Sequence, residues 1–125
     1  MSSKKLIRKK QAALQQAEMN RKRLLEIIIA EEQLIEGSLS DILVKCGRAG
    51  CHCEKKPAHP ITRLNIREGG NIKNKLVRID DLDRVRHLVQ TYKNFKQALR
   101  ELAAIENQEK EIFERIKKAR NRRYE

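Results

Sequence analysis

The chain has 125 residues, of which 37% are charged and 3% aromatic, and its formal net charge is +12. That length amounts to one domain, and so few aromatic side chains exclude a thick globular core. No window supplies the roughly 18 consecutive apolar residues of a membrane span, and the basic N-terminus is not followed by the apolar stretch and cleavage site of a secretory signal, so a cytoplasmic protein is expected.

Residues 4–36 read as one long helix. Ile7, Leu14, Ile28 and Ile35 share one heptad position, with Ala17 and Leu24 on its partner position. Lys10, Arg21 and Glu31 interrupt the seam. Gly37 then offers the left-handed residue that often ends a helix.

Residues 37–80 have a different texture. Leu39 to Val44 is a short apolar stretch, and partly alternating runs at 61–66 and 72–79 flank Glu68-Gly69-Gly70-Asn71. Alternation around a Gly-Gly pair predicts a β-hairpin, and residues 39–44 supply a third strand. All three cysteines lie here, in Cys46-Gly47-Arg48-Ala49-Gly50-Cys51-His52-Cys53, and His59 follows. Cys46, Cys51, Cys53 and His59 offer three thiolates and one imidazole, a full ligand set for a closed tetrahedral zinc site. His52 is the spare ligand, expected to point away from its neighbours. The spacing is not that of a common zinc finger, so reduced structural thiols, or thiols with redox chemistry, are the competing readings.

Residues 81–122 read as a second, longer helix, with Asp80 as its N-cap and Asp83 as the capping-box partner. Val85, Leu88, Tyr92, Phe95, Leu99 and Leu102 follow strict three-and-four spacing, broken at Glu106 and Glu109 and restored at Phe113 and Ile116. Such a stripe reads as a coiled-coil seam and is the expected surface of self-association into a homodimer. The fold class expected is therefore mainly α. It is an antiparallel coiled-coil helical hairpin, one domain over 1–125, with a small Cys-rich zinc-knuckle and three-stranded β element at its tip.

Positive charge gathers in that β element and at the chain ends. Arg48, Lys55, Lys56, Arg63, Lys73, Lys75 and Arg78 surround the cysteines, and Lys117, Lys118, Arg120, Arg122 and Arg123 close the second helix. A surplus of this kind favours polyanions, nucleic acid before acidic protein or lipid. The function expected is a basic nucleic-acid-binding accessory protein that contacts phosphates without strong sequence readout. The alternative is a coiled-coil scaffold or adaptor for a protein partner. No phosphate-cradling loop, paired catalytic carboxylates or Ser-His-Asp set is visible, so no enzyme is expected.

The run from Gly37-Ser38-Leu39 through Cys46-Gly47, Cys51 and Cys53 to His59-Pro60, followed by Val85-Arg86, Val89 and Tyr92, resembles a prokaryotic domain family of unknown function. Members of that family lie near transposases and other mobile-element genes. The resemblance spans roughly residues 20 to 105. It supports by analogy a metal held by the cysteines and His59, and it implies a mobile-element context with a transposase or similar protein as partner; the sequence itself does not choose DNA over RNA, and DNA is the polyanion expected. Pro60 and Ile61 stand where the family has glycine and an aromatic residue, which removes the ground for an aromatic base-stacking platform.

Overall fold

The computed structural model describes residues 3–52 and 55–124. Its elements are helix α1 (Ser3–Ile28), strands β1 (Gly37–Val44), β2 (His59–Glu68) and β3 (Asn71–Leu76), a 3-10 turn at Ile79–Asp81, and helix α2 (Leu82–Arg120). They form two compact units. One comprises the chain up to Glu31 together with the chain from Asn94 onward, and the other comprises Glu32–Lys93.

This corrects the expected fold class. The chain is two helices plus a three-stranded antiparallel sheet, and the β element is more than a small appendage of a helical hairpin. It is half of a two-unit structure, an antiparallel sheet in the order β1-β2-β3 with its own apolar core. Its core is shared with the start of α2, so its apolar residues are split between two stretches of sequence. Leu64 of β2 is buried with Val85 and Val89, and Ile35, Leu39, Ile66 and Val77 pack around them. An apolar stripe that looks like a seam between helices is, over its first turns, the cover of a sheet.

The first helix ends at Ile28, well short of residue 36. The β-branched run Ile27-Ile28-Ile29 is a weak helix former. Beyond it, the backbone N–H of Ile35 donates to the carbonyl of Leu88 at 3.1 Å. In a continuing helix that N–H would be committed to Glu31, so the tertiary bond and the longer helix exclude one another. Gly37 is accordingly no helix cap. It opens β1, and a Cβ there would sit 2.8 Å from the carbonyl oxygen of Asn65 and 3.1 Å from Leu64 Cδ1. Close approach of β2 requires the missing side chain.

Register follows from the turns. β1 pairs with β2 from Gly37↔Ile66 to Val44↔His59, and β2 pairs with β3 from Glu68↔Asn71 to Arg63↔Leu76. Gly69 and Gly70 have φ of +55° and +85°, the two left-handed residues of a two-residue hairpin turn. The second helix does not start from an Asp80 cap. The 3-10 turn runs directly into it, with the N–H of Leu82 donating to the carbonyl of Ile79.

In the helical unit, Ala17 and Leu24 of α1 are buried with Ala98 and Ile105 of α2, and Ile28 and Leu102 pack against them. The α2 seam here keeps Phe95, Leu102, Glu109 and Ile116 on one heptad position, but its partner position is Ala98, Ile105 and Ile112. The expected partner, one residue later, is out of the core. Leu99 is 43% exposed and Phe113 55%, and Glu106 is exposed between them. Two charges that looked like interruptions explain each other. Arg21 on α1 and Glu109 on α2 form a salt bridge, with their side chains 31% and 12% exposed.

Candidate metal centre and basic surfaces

The antiparallel pairing of β1 with β2 places both ends of the segment 45–58 at one spot. Val44 ends β1 opposite His59, the first residue of β2, and the N–H of Ala58 donates to the carbonyl of Val44 at 3.3 Å. Cys46 lies two residues beyond the ladder. Gly47 and Gly50 have φ of +79° and +80° with open space where a Cβ would stand, so it is the backbone conformation that selects glycine. Just past Gly50, the N–H of Cys51 donates to the carbonyl of Arg48 at 3.3 Å and closes a turn over residues 48–51.

The result is a cluster. The ligand atoms of Cys46, Cys51 and His59 all lie within 4.8 Å of one another, close enough to hold a metal ion. Cys51 Sγ is 3.2 Å from His59 Nε2. Tetrahedral coordination with ordinary Zn–S and Zn–N bonds separates such atoms by about 3.5 Å, so the spacing needs only small side-chain shifts to take an ion. Cys46 is exposed, while Cys51 and His59 are half-buried. The fourth expected ligand, Cys53, lies outside the described residues. His52 does not point away as expected. It is exposed, but its Nδ1 is 3.8 Å from Cys51 Sγ and its ring lies 5.3 Å from that of His59.

The expected basic surface divides into several. Arg48, Lys55 and Lys56 are exposed on the segment that carries the cysteines. Side chains alternate between faces along a strand, and direct cross-strand partners share a face. Arg63 therefore lies on the face turned from Leu64 and α2, whereas Lys73 and Lys75, opposite Ile66 and Leu64, lie on the other. Lys73 is also held by Glu68 at 2.9 Å. Arg78 is exposed between β3 and the 3-10 turn. Lys117 pairs with Glu114 at 2.8 Å, and Lys118, Arg120, Arg122 and Arg123 are exposed at the end of α2 and beyond.

The self-association residues are largely occupied within the chain. Val85 is buried in the sheet core, Leu102 packs on the helical core, and Leu88, Tyr92 and Phe95 are half-buried. Only Leu99 of that set is exposed.

One constellation was missed. Thr62 donates its hydroxyl to Asp41 at 2.6 Å and Arg86 donates to the same carboxylate at 3.0 Å. The hydroxyl bond first, and the guanidinium second, hold the Asp41 carboxyl below its ordinary value. The three line a groove of about 530 Å³ with apolar Pro60, Val77, Ile79 and Leu82. The 41↔62 pairing was readable only with the strand register in hand, and the approach of Arg86 only with the helix docked.

Comparison of the chain with protein-family models, curated proteins and solved structures finds no match.

Proposed function

We propose that the chain is a small nucleic-acid-binding accessory protein in which a zinc ion shapes the β1–β2 segment and presents its cations to phosphates. One observation carries this reading. The segment bearing exposed Arg48, Lys55 and Lys56 is the same segment that brings Cys46, Cys51 and His59 together. Thiolate with imidazole is the donor set that selects zinc among common divalent ions. Cys53 is the fourth ligand of choice, with His52 beside it as the substitute. Four protein ligands leave the metal a structural part, with no open position for chemistry. The resemblance to a mobile-element family favours DNA as the polyanion.

The test is a metal analysis of reduced protein paired with DNA titrations at rising salt. The expected result is one zinc per chain and an affinity that falls steeply with salt, by about 0.9 log units per tenfold salt for each phosphate neutralised. Chelation is expected to weaken binding. Metal-free protein with unchanged, salt-insensitive binding would overturn the reading.

A second reading, an adaptor for a protein partner such as a transposase or a second copy, is favoured by exposed Leu99 and Phe113, which sit outside the helical core. Chain weight in solution, with Leu99→Glu and Phe113→Glu variants, separates it from the first.

A further inference from the structure

We propose that the sheet face turned from α2 reads base edges in the major groove of duplex DNA. The inference rests on the nucleic-acid reading above and adds what that reading lacks, a source of sequence selectivity.

Leu39 with Leu64, Gly37 with Ile66 and Asp41 with Thr62 are cross-strand partners on the face toward α2. Alternation then puts Ser38, Ser40, Arg63, Asn65, Arg67 and Asn74 on the opposite face, together with Ile42, Ile61 and the exposed Ile72 and Leu76, which stand opposite Arg67 and Arg63. Both arginines are exposed, and among the described residues neither guanidinium has an acidic or hydrogen-bonding partner. The Asn65 Nδ2 donates to Ser40 Oγ at 2.8 Å, which orients its amide on the central strand. The lysines of β3 lie on the other face.

This sorting by side-chain type matters. Arginine and asparagine are the residues that make paired hydrogen bonds to guanine and to adenine in the major groove, whereas lysine on a phosphate carries no sequence information. A major groove about 12 Å wide admits a two-stranded ribbon, and β1 with β2, which carry Ser40, Arg63, Asn65 and Arg67, are such a pair about 5 Å apart. The deep, narrow major groove of duplex RNA does not admit them. Residues two apart on a strand are about 6.7 Å apart, so Arg63 and Arg67 stand about 13 Å apart with Asn65 midway. At about 3.4 Å per step that spans roughly four base-pair steps. The net charge of +12 complements the duplex.

The experiment selects binders to the full zinc-loaded chain from a randomised duplex pool. The expected motif has two guanines about four steps apart with an adenine between them. Arg63→Lys and Arg67→Lys keep charge but lose the fork, so each is expected to relax one guanine by about 5- to 150-fold while leaving affinity for random duplex unchanged. A Lys117→Ala, Lys118→Ala, Arg120→Ala variant is expected to leave the motif unchanged. Salt-sensitive duplex binding without an enriched motif overturns the sheet-face inference and leaves the nucleic-acid reading standing. A motif unchanged in both lysine variants, or tighter binding to single strands or to duplex RNA, also overturns the inference. Absence of binding to any duplex at low salt overturns both.

Discussion

Thr62 and Arg86 converge on one carboxylate, and the consequence for pH has a definite sign. The folded Asp41 titrates below its ordinary value of 3.8. The stability it contributes is therefore full above that value and is lost as pH falls through the folded value. The gap in thermal midpoint between wild type and Asp41→Asn is expected to be constant from neutral pH to about 5 and to shrink toward pH 3. A gap equal at pH 3 and pH 7 would contradict the assignment. At the candidate metal cluster, Cys51→Ser removes the sulfur that lies 3.2 Å from His59 Nε2. Zinc content measured after gel filtration is expected to fall well below one per chain, and the thermal midpoint with it. Lys75→Ala, on an exposed strand position, is the control expected to leave zinc content unchanged. The sequence displayed this cluster plainly, because cysteine and histidine advertise their chemistry by type and spacing. The Asp41 contact was not displayed, since its members are ordinary residues far apart in the chain.

Among the elements, α2 tests how far a heptad can be read. Phe95, Leu102, Glu109 and Ile116 were placeable, but the partner position takes Ala98, Ile105 and Ile112 rather than Leu99, Glu106 and Phe113. A counting rule prefers the large side chain, Leu99, over Ala98. Packing against α1 prefers the small one, which is 1% exposed. Ala98→Leu is thus expected to destabilise by roughly 1–3 kcal/mol through overpacking. Leu99→Ala is expected to cost much less, about 0.5 kcal/mol or below, as an exposed change. Denaturant midpoints of the two variants decide the phase. The Arg21–Glu109 salt bridge belongs to the same helical core. Removing either partner is expected to cost more than the roughly 0–1 kcal/mol of a surface pair, since the carboxylate side chain is 12% exposed. Replacing both by leucine is expected to recover most of the loss. Arg21 and Glu109 looked like separate faults because a one-dimensional seam does not say which fault meets which. The end of α1 was illegible for a related reason. Only the bond from Ile35 to Leu88 shows what the chain does instead of remaining helical.

At the scale of the molecule, the strands and the Gly-Gly turn were legible from alternation, and the two long helices from their repeats. The division into two units was not, because α2 is continuous in sequence while its residues serve different cores. Val85 and Val89 belong to the sheet, and Ala98 and Ile105 to the helices. The metal segment belongs to neither ladder nor core. It leaves the sheet after Val44 and rejoins it at His59. The β1–β2 ladder and both apolar clusters, which tie the first third of the chain to the remainder, lie outside it. With no ion to hold it, this span is expected to be cut by trypsin after Lys45, Arg48 or Lys55, all exposed along it, whereas Lys56 is shielded by the Pro57 that follows it. A single nick there would yield two fragments on a denaturing gel and one undivided species on a sizing column, a protein severed covalently yet still assembled.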